Sequence, residues 1–143
     1  MTKDAPVEIG KRFVFRKTVG EADVYMFAGI TGDLSPNHVD EAAMAATRYG
    51  GRIAHGALII GYMSNCSTLA VAEGRDAGFG TPVSVGYDRV RFVAPVMIGD
   101  TIEVRYAIME FDVERRRSRS EVEVINQDGA TVAVATHVMA WVD

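Results

Sequence analysis

Alternation of apolar and polar residues with a period of two dominates the second half of the chain. Residues 101–108 and 131–138 alternate in this way, which is typical of half-buried antiparallel strands. Turn-forming residues separate the predicted strands, at 98–100, 112–116 and 126–129. With further strands expected at 13–17 and 83–93, the pattern predicts about five strands.

One long apolar segment predicts a central helix. Residues 56–73 are apolar over most of the helix circumference in the first two turns, and Gly74 is a natural end. A helix of this kind is expected to be buried on most sides. The predicted fold class is therefore α+β, with one antiparallel sheet wrapped around one helix.

Two shorter helices are predicted before the central one. Thr18 and Glu21 have the spacing of a capping box, which opens a helix that ends near Gly32. Asp40 can cap a second helix that runs through Ala46. The segment between these two helices carries the polar residues of most interest.

Composition indicates one soluble globular domain over residues 1–143. Hydrophobic residues make up 48% and charged residues 24%, which excludes a disordered chain. With 15 Lys and Arg against 19 Asp and Glu, we expect neither nucleic acid nor an anionic membrane as a partner. Residues 1–12 lack the apolar core of a secretory signal, and polar residues interrupt the apolar run 53–72, so we expect a cytoplasmic protein. The single Cys66 permits no internal disulfide and is expected to be an inert buried thiol.

The segment 31–38 places an acid and a histidine five residues apart. Gly32 and Pro36 are expected to keep it out of a helix, so the side chains of Asp33 and His38 can face each other. Two groups of such different pKa held together can move protons. The alternative is an ordinary helix end followed by a turn, in which the Asp33 side chain caps backbone groups and His38 is exposed to solvent.

At these residues the sequence resembles the MaoC-like hydratases, the (R)-specific enoyl-CoA hydratase branch of the hot-dog fold. That family carries an aromatic residue and Ala, followed by Ser/Thr-Gly-Asp-x-Asn-Pro-x-His-x-Asp. The resemblance covers nearly the whole chain in four ordered segments, namely residues 27–40, His55-Gly56, residues 91–101 and residues 126–129.

The resemblance implies a hot-dog fold whose overhanging helical segment carries the catalytic loop, and it implies a role for each matching residue. Asp33 and His38 would hold and activate a water molecule. The backbone N–H of Gly56 would receive the thioester oxygen, and Ser64 on the central helix would bond the catalytic aspartate. Ser35 departs from the family pattern, which has Asn before the proline, so loop geometry or substrate preference is expected to differ.

Further residues are candidates for contact with substrate. They are Ser35, Asn37, His55, Arg52, Arg89 and Arg91. Arg89 and Arg91 are expected to alternate onto one face of their strand, where they, or Arg48, could meet coenzyme A phosphates. The arginines at 115–117 and 119 are expected to lie in a solvated turn, with contact to coenzyme A phosphates as the alternative. His137 is expected at the surface or half-buried.

The implied activity is the reversible hydration of trans-2-enoyl-CoA to (R)-3-hydroxyacyl-CoA, with an acyl-CoA thioester as substrate and a homodimer or higher homo-oligomer as the assembly. No cofactor is expected. Asp33, His38 and His55 could be considered for a metal, but their spacing matches no metal motif, so none is expected. The alternatives are another hot-dog acyl-CoA enzyme, such as a thioesterase or a hydratase of branched or dicarboxylic acyl groups, and a non-catalytic module that binds acyl-CoA or acyl carrier.

Overall fold

The structure is a computed structural model that describes residues 5–75 and 78–143. In chain order its elements are β1 (Arg12–Thr18), α1 (Glu21–Thr31), α2 (Pro36–Val39), α3 (Glu41–Ala45), α4 (Gly56–Val71), β2 (Thr81–Phe92), β3 (Thr101–Asp112), β4 (Arg117–Ile125) and β5 (Thr131–Val142). A short 3-10 turn, Ala72–Gly74, ends α4 close to the predicted stop. None of the described helices is long and apolar enough to cross a lipid bilayer.

The five strands form one antiparallel sheet in the order β1-β3-β4-β5-β2. The predicted architecture of about five strands and one long helix is confirmed. The two strands that flank the helices in sequence, β1 and β2, lie at the edges of the sheet. The helices α1 to α3 therefore come between an edge strand and the central helix, and they carry the segment 31–40 over the start of α4.

One face of α4 packs into the core. Ile59, Met63, Cys66 and Ala70 recur at helical spacing and are buried. The Sγ of Cys66 lies 3.9 Å from the carbonyl oxygen of Val104, and burial raises the pKa of its thiol to about 11. A thiol with this pKa is protonated at neutral pH, as expected for an inert cysteine.

The expectation that α4 is buried on most sides is wrong for a single chain. Ala57, Gly61, Ser64 and Thr68 lie on the face opposite the core and are exposed. They are small, and they form a shallow surface along the helix. The apolar sequence of α4 is thus only partly explained by the core of one chain.

The starts of α1 and α3 test the two predicted caps. The predicted N-cap at Thr18 is wrong, because α1 begins after Gly20, whose backbone N–H donates to Asp23 Oδ2 at 2.8 Å. Thr18 instead ends β1 and shares a hydrogen bond with the hydroxyl of Thr101 across the sheet. Asp40 caps α3 as predicted, since its Oδ1 accepts the N–H of Ala43 at 2.9 Å.

The expectation that His137 is at the surface is also wrong, because the ring is fully buried. The residue pairs with the buried Ser120 across β4 and β5. Ala133, Ala135 and His137 are buried, whereas Val134 and Val138 on the alternate positions are only half-buried. Its Nδ1 lies 2.8 Å from the hydroxyl of Tyr106, and its Nε2 lies 2.8 Å from Ser84 Oγ. Tyr87 stacks on the ring at 4.2 Å, and burial lowers the pKa of His137 to about 4. Hydroxyl partners thus allow an imidazole where the alternation predicts a solvent-facing residue.

Candidate active site

A turn after α1 sets the position of Asp33. Gly32 ends the helix in the left-handed conformation, with φ of 78°, which glycine adopts without strain. The backbone N–H of Asp33 then donates to Thr31 Oγ1 at 3.2 Å, and the N–H of Ser35 donates to Asp33 Oδ1 at 3.3 Å. The Asp33 side chain is exposed, and this turn holds one of its two carboxylate oxygens.

His38 lies in α2, a single helical turn that begins at Pro36. The expectation that the whole segment avoids helix is therefore wrong for its second half. Proline fits the first position of a helix, because that N–H would have no partner inside the helix. The break at Gly32 still separates Asp33 from this turn, as the sequence predicts.

The tautomer of His38 follows from the hydrogen bond of its Nδ1. Its Nδ1 lies 2.7 Å from the carbonyl oxygen of Ile53, which can only accept, so Nδ1 carries the proton. In the neutral ring Nε2 is then an acceptor. His38 can therefore take a proton from a bound water through Nε2.

His55 contacts both Asp33 and His38. Its ring stacks on that of His38 with 3.7 Å between centroids, and its Nε2 donates to the backbone carbonyl of Asp33 at 3.0 Å. Phe27 packs on the ring at 4.8 Å, and only 2% of His55 is exposed. These contacts fit a residue that positions the loop, and a substrate contact from His55 stays a prediction.

Asp33, His38 and His55 bring one potential metal-ligating atom each within 4.8 Å of one another. The two imidazoles stack with an interplanar angle of 26°, so their lone pairs lie in two nearly parallel planes about one stacking distance apart. Each ring also commits one nitrogen to a backbone carbonyl. This arrangement suits proton transfer better than a converging ligand set, and the absence of a metal stays a prediction.

Gly56 begins α4 beside this cluster. As the first residue of the helix, its N–H has no acceptor within the helix and adds to the positive end of the helix dipole. A side chain at this position would place its Cβ 2.6 Å from the ring of Phe92. Glycine therefore lets the Phe92 ring lie against the start of the helix, and its bare backbone can approach a ligand closely.

His38 and Gly56 open onto one cavity of about 320 Å³. Its walls come from the segment before α4, the end of β2 with the loop that follows, and the start of β5. Apolar lining residues are Ile53, Ala54, Ile59, Phe92, Val93, Ala94, Pro95, Val96, Val132 and Ala133. Arg48 and Tyr49 complete the lining together with His38. Sequence reasoning missed Tyr49 and the two β5 residues, because nothing local in the sequence indicates that they meet.

The structure does not bring Ser64 to Asp33 within one chain. Ser64 lies eight residues beyond Gly56, about 12 Å along the helix axis. It is exposed, and among the hydrogen bonds of residues 5–75 and 78–143 none joins its hydroxyl to Asp33. Its role stays a prediction that rests on the resemblance.

Among the remaining candidates, Arg52 adjoins the pair, because its Nη1 donates to the backbone carbonyl of His38 at 3.5 Å. Arg52 is 7% exposed, and its guanidinium pairs with Glu21 and Glu41, so the expected substrate contact is replaced by a structural one. Arg89 has φ of 53° in a bulge between Asp88 and Arg91, which interrupts the alternation that would have put Arg89 and Arg91 on one face.

Ser35 and Asn37 lie beside the pair and use their backbone groups. The carbonyl of Ser35 accepts the N–H of His38 at 2.9 Å, and the carbonyl of Asn37 accepts the N–H of Ile53 at 3.0 Å. These two bonds tie α2 to the segment before α4. A substrate contact from either side chain stays a prediction.

Known proteins are similar to this chain in sequence and fold. The family model described as MaoC like domain matches residues 4–133. The chain is 40% identical over 113 residues to a 3-hydroxybutyryl-CoA dehydratase of Methylorubrum extorquens, which covers 79% of this chain and 68% of the relative. It is 34% identical over 110 residues to an (R)-specific enoyl-CoA hydratase of Rhodospirillum rubrum, which covers 77% of this chain and 72% of the relative.

Among solved structures, the unliganded R-hydratase PhaJ1 from Pseudomonas aeruginosa superposes with a TM-score of 0.81 at 29% identity, over 96% of this chain and 84% of that one. The expected hot-dog fold is thereby confirmed. The family match includes the segment 31–38, His55-Gly56 and most of the sheet. The chain therefore belongs to the MaoC-like dehydratase family.

Proposed function

We propose that this chain is an (R)-specific enoyl-CoA hydratase, which adds water reversibly to trans-2-enoyl-CoA to give (R)-3-hydroxyacyl-CoA. One observation carries the proposal: His38 presents an accepting Nε2 next to Asp33, on the cavity that also holds the start of α4. The named activities of two relatives, dehydration of 3-hydroxybutyryl-CoA and (R)-specific hydration of enoyl-CoA, are the two directions of this chemistry.

The reaction assigns a role to each group of the site. Asp33 and His38 hold a water molecule, and Asp33 is the principal base that takes its proton as the oxygen bonds to C3 of the enoyl chain. Negative charge then develops on the thioester oxygen, where the N–H of Gly56 donates a hydrogen bond. A proton returned to C2 completes the product. No cofactor is required by these steps, because coenzyme A is part of the substrate.

Substitution of Asp33 by Asn tests the proposal. The variant keeps the shape of the side chain but removes the base, so we expect hydration of crotonyl-CoA to fall by about 100- to 10,000-fold. The rate is followed by loss of the enoyl absorbance, and circular dichroism checks that the variant is folded. Asp128→Asn is the matched control, since it removes an exposed carboxylate in the turn before β5. Activity retained in Asp33→Asn would contradict the assignment, and a wild type inactive on enoyl chains of four to twelve carbons would favour the non-catalytic binding module.

We also propose that two copies of the chain associate through the exposed face of α4. Ala57, Gly61, Ser64 and Thr68 leave a shallow apolar and hydroxyl-bearing surface. The neighbouring edge strand β2 exposes Val85 and Phe92, each about half accessible, at 50% and 52%. A homodimer would cover these groups and bring a second copy to Ser64. Sedimentation equilibrium should give twice the chain mass at micromolar concentration, and a monomer would contradict the proposal.

A further inference from the structure

Arg48 and Tyr49 form a polar wall of the cavity that holds His38 and Gly56. Most other lining residues are apolar. Among the described residues that line the cavity, Arg48 is the only arginine or lysine. A positive charge thus lies on the same cavity as His38 and Gly56.

Contacts of Arg48 leave its charge available to a ligand. Its Nη2 donates to the hydroxyl of Tyr49 at 2.9 Å, and the guanidinium lies 4.9 Å from the centre of the Tyr49 ring. No carboxylate of residues 5–75 and 78–143 forms an ion pair with Arg48, whereas the nearby Arg52 has two such partners. The two arginines therefore have different roles. Arg52 forms ion pairs that stabilise the fold, and the guanidinium of Arg48 is oriented by the side chain of Tyr49.

Tyr49 adds a second donor. Because its hydroxyl oxygen accepts from Arg48, its own O–H is left to donate to another group. The remaining guanidinium N–H groups and this hydroxyl can together surround an oxyanion. Arginine suits such a ligand because its planar fork matches the oxygens of a carboxylate or a phosphate.

We infer that Arg48 and Tyr49 bind an oxyanion carried by the thioester substrate. This inference rests on the proposed function and specifies its substrate class. The anion has two possible sources: a phosphate of the coenzyme A or phosphopantetheine carrier, or a carboxylate on the acyl chain. Arg48 supplies the charge, and Tyr49 orients it.

Three thioesters separate these sources when they are assayed with Arg48→Gln. Crotonyl-CoA carries the phosphates, crotonyl-pantetheine carries none, and glutaconyl-CoA adds a carboxylate to the crotonyl chain. If the anion is a phosphate, kcat/KM for crotonyl-CoA falls by about 10- to 100-fold, the value of a charge-assisted hydrogen bond, and crotonyl-pantetheine is unaffected. If it is a carboxylate, only glutaconyl-CoA shows a loss of this size. Tyr49→Phe should give a smaller loss on the same substrate.

Arg117→Gln is the matched control. Arg117 is exposed on β4 and pairs with Ala140, seven residues along β5 from the cavity-lining Ala133. Removing its charge should change none of the three rates. An equal effect of Arg48→Gln on all three thioesters, or no effect on any, would overturn the inference.

Failure of the proposed function is detected separately. In that case the wild type hydrates none of the three thioesters, and binding replaces turnover as the measurement. Calorimetric titration with glutaryl-CoA, which carries both kinds of anion and has no double bond to hydrate, compares wild type with Arg48→Gln. A 10- to 100-fold weaker affinity in the variant supports the subsite, and equal affinities overturn it.

Discussion

His137 should make the folding stability of the protein depend on pH in a range where carboxylates are still mostly ionised. The ring is fully buried between the hydroxyls of Tyr106 and Ser84, and Tyr87 stacks on it. Burial penalises the imidazolium and lowers the pKa to about 4, from 6.5 for an exposed histidine. Protonation therefore favours the unfolded chain.

The size of the effect follows from the two pKa values. Above pH 6.5 the ring is neutral in both states and its contribution to stability is fully present. As the pH falls, the unfolded chain takes up the proton first, and the free energy of unfolding decreases by about 2 kcal/mol at pH 5 and about 3 kcal/mol at pH 4. This loss is a substantial fraction of the stability of a small domain.

Urea unfolding of wild type and His137→Gln between pH 8 and pH 5 measures this contribution. Gln keeps a polar side chain that can bond both hydroxyls but does not titrate, so any packing cost is present at every pH and cancels in the comparison. Wild type should lose about 2 kcal/mol more than the variant across this range. Parallel pH profiles would refute the reasoning. An NMR titration of folded wild type gives an independent test, since the His137 ring should stay neutral down to about pH 5.

Two further substitutions test the packing around the site. Gly56→Ala would place a methyl group 2.6 Å from Phe92 and push that half-exposed ring outward. We expect at least about a 10-fold loss of crotonyl-CoA hydration with little change in melting temperature. Normal activity of the variant would contradict the proposed role of glycine at this position. The second test concerns Arg52, whose side chain is 6% exposed, while those of its partners Glu21 and Glu41 are 60% and 61% exposed. The double variant Glu21→Gln/Glu41→Gln leaves this buried cation without an anion, so its free energy of unfolding in urea should be about 1 to 2 kcal/mol lower than that of Arg52→Met. The reverse order of stability would contradict this account.

Local patterns predicted the elements well where burial and hydrogen bonding are local. The alternation with a period of two predicted the long strands, and the apolar run predicted α4, because each pattern depends only on residues within that element. The cap at Asp40 was also local, since the bond spans three residues. The predicted start of α1 was wrong because Thr18 and Gly20 can both be N-caps. Pairing of Thr18 with Thr101 keeps Thr18 in β1, so the helix begins after Gly20.

Errors arose where a distant partner sets the environment. The alternation along β5 suggested that His137 lies at the surface or is half-buried, but hydroxyls from β2 and β3 hydrogen-bond its ring in the core. Arg52 was a candidate for substrate contact because its ion-pair partners Glu41 and Glu21 lie 11 and 31 residues away in the sequence. The pairing of Asp33 with His38 could be predicted, whereas the support from His55 and the carbonyl of Ile53 depends on how the segment before α4 folds back.

The departure at Ser35 can now be placed. Residue 35 fixes the acid and the histidine through its main chain: its N–H donates to Asp33 Oδ1, and its carbonyl accepts the N–H of His38. Its backbone, with φ of −54° and ψ of 136°, has the extended conformation that the following proline favours in any residue. Neither bond needs an amide side chain, so Ser in place of Asn leaves the Asp33 and His38 geometry intact. Any effect of the replacement must therefore come from contacts between the side chain and the substrate. Such an effect is measured by comparing kcat/KM between substrates that differ in their acyl groups.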